Sequence, residues 1–161
     1  MQADLPAVVP SLTRADAKRA RVVFTAQNTG VDLTDWGPVA DTRKDMAAEA
    51  FLAWAERLRT ALLAQGAWAT YIDPPSGMAV HGGCGAVWPE VDAATVLLGW
   101  PQSSAGGCKL ALHPKWGAKA YPATVLTTAP DDMILSAVHV LCGSNGEQCE
   151  AGAEAETRGS G

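Results

Sequence analysis

Between Ala47 and Leu62 apolar side chains return every three or four residues: Ala47, Phe51, Trp54, Leu58 and Leu62. One apolar stripe at helical spacing, with Arg43, Lys44, Glu49, Glu56, Arg57 and Arg59 mostly off it, predicts a long helix packed on a core. Thr42 followed three residues on by Asp45 matches a capping box, and Gly66 suits the stop, so the helix is expected between them. After it the period shortens. "AWATYI" (67–72), "MAVHG" (78–82), "ATVLLGW" (94–100), "CKLALH" (108–113) and "AYPATVLTT" (120–128) read as strands, most of them joined by Gly- and Pro-rich turns that favour antiparallel pairing. Upstream, Ser11 and Thr13 are candidate caps for a short helix, and "RVVFTAQ" (21–27) is a further strand. A last helix is expected to start near Pro130, with Asp131 and Asp132 at its positive end, and to stop at Gly143. The order β, long α, β-meander, α predicts an α+β domain with one mixed or antiparallel sheet packed with helices. Residues 144–161, "SNGEQCEAGAEAETRGSG", carry no large apolar side chain and are expected to be a disordered tail.

Composition narrows the function classes. A chain of 161 residues suits a single domain able to bury a core. A net charge of −5 argues against nucleic acid and against an anionic membrane surface. The one basic concentration, "RADAKRARVV" (14–23), reads as the solvated face of a short helix. No stretch has the apolar length of a membrane span, and "MQADLPAVVP" lacks the basic start of a signal peptide, so a soluble cytoplasmic protein is expected. In that setting Cys84, Cys108, Cys142 and Cys149 are expected as thiols rather than disulfides.

Candidate chemistry gathers in "GGCKLALHPKWG" (106–117). His81-x2-Cys84 and Cys108-x4-His113 could supply zinc ligands. On a continuous strand, however, an offset of five puts Cys108 and His113 on opposite faces, which also disfavours a Cys–His nucleophile. "SSAGGCK" (103–109) lacks the spacing of a phosphate loop, and no C-x-x-C redox pair occurs. Catalysis by this inventory is not expected. Cys108 has two readings: a core thiol sharing an apolar face with Leu110 and Leu112, or a reachable thiol at the end of a glycine loop, with Lys109 beside it to favour the thiolate. Asp73-Pro-Pro-Ser76-Gly77 reads as a tight turn. His113, Trp116 and Gly117 are expected to shape the next one, with partner contact as the minority alternative for both.

Four segments together resemble the CblD family, the cobalamin-trafficking protein of methylmalonic aciduria and homocystinuria type D. "GAWATYIDPPSGMAVHG" (66–82) is similar to its I-D-P-x-S-G segment, and "LGWPQSSAGGCKLALHPKWG" (98–117) to its C-C-K-x3-H-x-L-W-G segment. "VLTTAPDDMI" (125–134) and "DLTDWGPVADTRKDMAAEAFL" (32–52) extend the likeness across most of the chain. The resemblance implies a modified nitroreductase-like α+β domain without a flavin site. It implies an N-terminal extension at 1–31, a CblD-like domain at 32–143 and the tail at 144–161. It also implies a non-enzymatic protein that carries no cofactor alone. Such a protein docks on a CblC-like processing partner and helps pass cobalamin towards methionine synthase or methylmalonyl-CoA mutase. A thiolate of the family's Cys-Cys pair can coordinate the cobalt. The family's cobalt-coordinating thiol is the first of that pair; here Gly107 takes its place and Cys108 the second, so either Cys108 substitutes as the candidate ligand or the protein traffics cobalamin without sulfur ligation. Asp73, Ser76, Gly77, Lys109, His113, Trp116 and Gly117 fall on the matching motifs. A flavin- or thiol-dependent reductase of the same fold, or a small zinc-stabilised interaction module, are the alternatives.

Overall fold

The computed structural model describes residues 5–143; the expected tail, Cys149 included, lies outside them. Ten elements follow one another: α1 Leu5–Val8, α2 Arg14–Ala17, β1 Arg21–Asn28, α3 Pro38–Ala64, β2 Ala69–Tyr71, α4 Glu90–Leu98, β3 Gln102–Ala105, β4 Cys108–Ala111, β5 Ala120–Thr127 and α5 Asp131–Gly143. The fold is α+β with every strand pair antiparallel: a three-stranded sheet in the order β1-β5-β2 and a separate β3–β4 hairpin. That replaces the single sheet expected from the strand count.

β5 is the centre. It holds β1 over eight residue pairs and β2 over three, and Ala123–Thr127 are buried on both faces. On one face α3 lays down Phe51, Ala55, Leu58 and Leu62, joined by Ile134 and Ala137 of α5. Burying Leu58 and Leu62 completely contributes on the order of 1.5–3 kcal/mol each before entropy is counted. Trp54 is only partly buried against the same cluster. On the other face Val8, Val9 and Leu12 meet Ile72, Trp88 and Leu126, so residues of the expected N-terminal extension share the core.

Three expectations are corrected. α3 starts at Pro38, with proline in its first turn and Gly37 as N-cap, so Thr42 lies inside the helix and caps nothing. The run 94–100 is not a strand. Glu90 and Asp92 occupy the first turn of α4, and Gly99 closes it in the left-handed conformation. A short apolar run does not reveal its own period; the flanking acids and glycine decide it. The segment 78–82 pairs only through an isolated Ile72–Ala79 bridge. Among the described residues no helix is long and apolar enough to cross a membrane.

Candidate functional site

The β3–β4 hairpin is built on a two-residue turn. Ala105 pairs with Cys108, and between them Gly106 and Gly107 adopt φ of 56° and 87°. Two successive positive φ values define the hairpin turn whose twist matches that of the strands, and glycine enters it without steric cost. Gly107 is therefore a residue that the backbone conformation selects.

Cys108, first residue of β4, is exposed, and the buried residue of its strand is Ala111. The core-thiol reading is overturned. β4 is short and ends at Ala111, so the apolar alternation of "CKLAL" is not read by a continuous buried face. Lys109 points elsewhere: its Nζ lies 3.2 Å from Oδ1 of Asp92, whose carboxylate the Lys109 and Gln102 contacts hold below the usual range. Gln102 Nε2 also donates to Thr95 Oγ1 at 2.8 Å, so both strands are fastened to α4. Successive strand residues face opposite ways, which leaves Cys108 on the face turned from Lys109. An alanine methyl at Gly106 would lie 3.6 Å from Trp36, whose indole is 90% exposed. Among the described residues no group of three or more His, Cys, Asp or Glu could hold a metal.

Downstream, His113 organises a turn of its own. Its backbone exchanges two hydrogen bonds with Gly117, and its Nδ1 accepts from the amides of Lys115 and Trp116 at 3.1 and 3.2 Å. The neutral ring then carries its proton on Nε2. Trp116 stacks on it at 4.4 Å and Trp100 meets it edge-on at 4.7 Å. Burial, with Lys115 close by, lowers the His113 pKa. Asp73 forms the other turn: its carboxylate accepts from the amide and hydroxyl of Ser76, and its carbonyl accepts from Gly77 N at 2.8 Å. Gly77 has φ of 68°, and a methyl there would lie 2.7 Å from Val87 Cγ1. These residues shape two turns, and the structure does not bring them to Cys108 as one cluster of ligands.

Two polar sites were not visible in the sequence. Glu56 of α3 receives the Tyr71 hydroxyl at 2.9 Å, the His81 Nε2 at 3.1 Å and Arg59 Nη1 at 3.1 Å. The Tyr71 and His81 bonds lower its pKa, while burial and then Glu56 raise that of Tyr71. His81, a candidate zinc ligand in the sequence, instead ties its loop to α3 and β2. The second is Glu90, whose Oε1 accepts from the Thr124 hydroxyl at 2.7 Å beneath α4; burial raises its pKa to about 7. The i, i+3 pair Glu56–Arg59 was the only local signal for the first, and the second had none.

Comparison with known proteins gives one consistent result. A family model described as methylmalonic aciduria and homocystinuria type D protein matches residues 1–139. The mouse (Mus musculus) cobalamin trafficking protein CblD is 27% identical over 133 residues, 82% of this chain and 44% of that protein. The human (Homo sapiens) protein of that name is 31% identical over 116 residues, 71% and 39% of the two chains, and the chicken (Gallus gallus) one 30% over 122 residues, 74% and 41%. The chain spans less than half the length of these curated relatives. The match takes in the N-terminal residues upstream of Asp32 as well as the segments whose motifs first suggested the likeness. On the extent of that match, the chain belongs to the methylmalonic aciduria and homocystinuria type D protein family.

Proposed function

We propose that the chain is a non-enzymatic cobalamin escort that works in the cytoplasm through a protein partner. It docks on a CblC-like cobalamin-processing protein and sets the tip of its β3–β4 hairpin against the cobalt of the partner-bound cobalamin. Its α+β core is then a nitroreductase-like fold that holds no flavin, and it carries no cofactor when alone.

One observation carries this reading: in a chain whose relatives are named for cobalamin trafficking, Cys108 stands exposed beside a two-glycine hairpin turn. Thiolate sulfur is polarizable and suits a soft metal centre, and coordination itself drives the proton off a thiol. No neighbouring base is needed, which agrees with Lys109 being turned to Asp92. With Gly107 in place of the pair's first thiol, ligation rests on Cys108 alone. Asp73, Ser76, Gly77, His113, Trp116 and Gly117 serve it indirectly by holding the turns on either side of the hairpin and α4.

Co-purification with a CblC-like protein, with and without cobalamin, tests this. The expected result is a complex that carries corrin absorbance, and a chain that is colourless alone. Absence of any complex, or a chain that purifies yellow with flavin and turns over NAD(P)H, contradicts it.

A further inference from the structure

The two edges of the central sheet are finished differently. On the β2 side the outward carbonyls are occupied: Arg59 Nε donates to Ala69 O at 3.2 Å, and Val80 N donates to Tyr71 O at 2.9 Å. Ile72 N donates to Thr124 O and Thr128 N to Trp68 O, so the even-numbered residues of β5 face β2. Its odd-numbered residues must then face β1, where the register pairs them with Arg21, Val23, Thr25 and Gln27. Thr29 N donating to Lys119 O at 2.9 Å continues the same alternation. Val22, Phe24, Ala26 and Asn28 are left with their N–H and C=O groups aimed away from the sheet. Among the described residues none of these groups has a backbone partner on that side.

Such an edge is a template for another strand, and proteins usually blunt it with lysine, proline, a bulge or a covering segment. β1 carries no lysine, proline or bulge, and among the described residues no segment hydrogen-bonds along its outer edge. Its sequence "RVVFTAQN" pairs without interruption over eight residues, and its one charge, Arg21, is engaged by Asp131. Residues 21–27 all keep partial exposure, whereas β5 is buried over Ala123–Thr127.

We propose that the outer edge of β1 is where an extended segment of the protein partner adds a fourth strand to the sheet, in the manner of β-augmentation. The chemistry of the occupant follows from the edge. It offers alternating backbone donors and acceptors over Val22–Asn28, while Phe24 and Ala26 pack their side chains against the cluster of Ala94, Trp100 and Ala111, so recognition falls to the backbone and the edge fits an extended peptide rather than a helix or a small molecule. Identifying the partner as the cobalamin-processing protein rests on the functional reading above.

Residue-resolved amide exchange tests the assignment. In the free chain the amides of Val22, Phe24, Ala26 and Asn28 are expected to exchange fast while those of Val23, Thr25 and Gln27 are slow. Adding a CblC-like protein is expected to slow the even-numbered set at least about tenfold. Ala26→Pro, which removes one outward N–H at an edge position that tolerates proline, is expected to weaken the complex about tenfold, and Ala26→Ser to leave it unchanged. A complex that forms while the even-numbered amides exchange at their free rate, or that binds both variants equally, overturns the edge assignment alone. Absence of any complex overturns the functional reading and the named occupant together. Protection that rises with the chain's own concentration overturns it in favour of a second copy.

Discussion

Gly107 and Glu90 show how single side chains set the terms for the hairpin and for α4. At φ 87° an L-residue is strained, by about 1–2 kcal/mol for most side chains, while asparagine tolerates the left-handed region. Gly107→Ala is therefore expected to lower stability by about 1 kcal/mol and Gly107→Asn by less, measured by urea unfolding. Gly107→Cys should carry a penalty similar to that of Gly107→Ala. Glu90 predicts a pH dependence. Its folded pKa, about 7, stands above the ordinary 4.5 because burial outweighs the Thr124 hydrogen bond. The folded state holds the extra proton between those values. The stability contributed is thus complete below pH ~4.5 and lost as pH rises through about 7. Asp16, Asp32, Glu56 and Asp92 shift downward and act oppositely, in a more acidic window. His113, whose pKa burial lowers, also acts oppositely, losing stability as pH falls below its ordinary 6.5, so above pH 6.5 the Glu90 effect stands alone among these groups. Glu90→Gln should stabilise the protein at pH 8 by on the order of 1–3 kcal/mol and flatten the profile between pH 6.5 and 8. Unchanged melting curves at pH 8 would show that Glu90 is solvated.

The loop between β2 and α4 depends on Glu56. Through Tyr71 and His81 that one carboxylate ties α3 to β2 and to the segment after the Asp73 turn. It is partly exposed, so its loss is expected to cost only about 1 kcal/mol. Glu56→Ala should nevertheless speed amide exchange around Thr70 and His81, which bond each other, and leave the β1–β5 ladder unaffected. Exchange rising equally throughout would show a global effect instead. Elements with their own periodicity and punctuation were legible in the sequence. The stripe of α3, the β-branched run of β1, the "AYPATVLTT" strand and the acids opening α5 all appear where the pattern placed them. The failures share one cause, which is tertiary context. α4 has an apolar run that fits either period. "MAVHG" lost its pairing to side-chain bonds at Thr70 and Glu56. Cys108 alternates with leucines on a strand too short to be covered. Of the site, the two turns were readable because aspartate, serine and glycine act on their own neighbours. Glu56 and Glu90 were not, because their partners lie far away in the chain.

The whole molecule combines a core sheet whose β2 edge is engaged, a β1 edge without a backbone partner among the described residues, and a hairpin that holds one exposed thiol. Residues 5–28 are part of this unit, since they supply β1 and three buried side chains to the face under Trp88 and Leu126. Removing residues 1–20 is therefore expected to unfold the domain or lower its melting temperature by many degrees, through loss of Val8, Val9 and Leu12 from the core. A truncated chain that melts as the full one does would contradict that. The central claim is that Cys108 meets cobalt in the partner complex, and corrin absorbance reads it most directly. The chain and its Cys108→Ser variant are each mixed with a CblC-like protein loaded with cobalamin. A thiolate-type corrin spectrum is expected with the wild type and its loss in Cys108→Ser, with partner binding intact in both. An identical spectrum from the two proteins, in complexes shown to have formed, would contradict it.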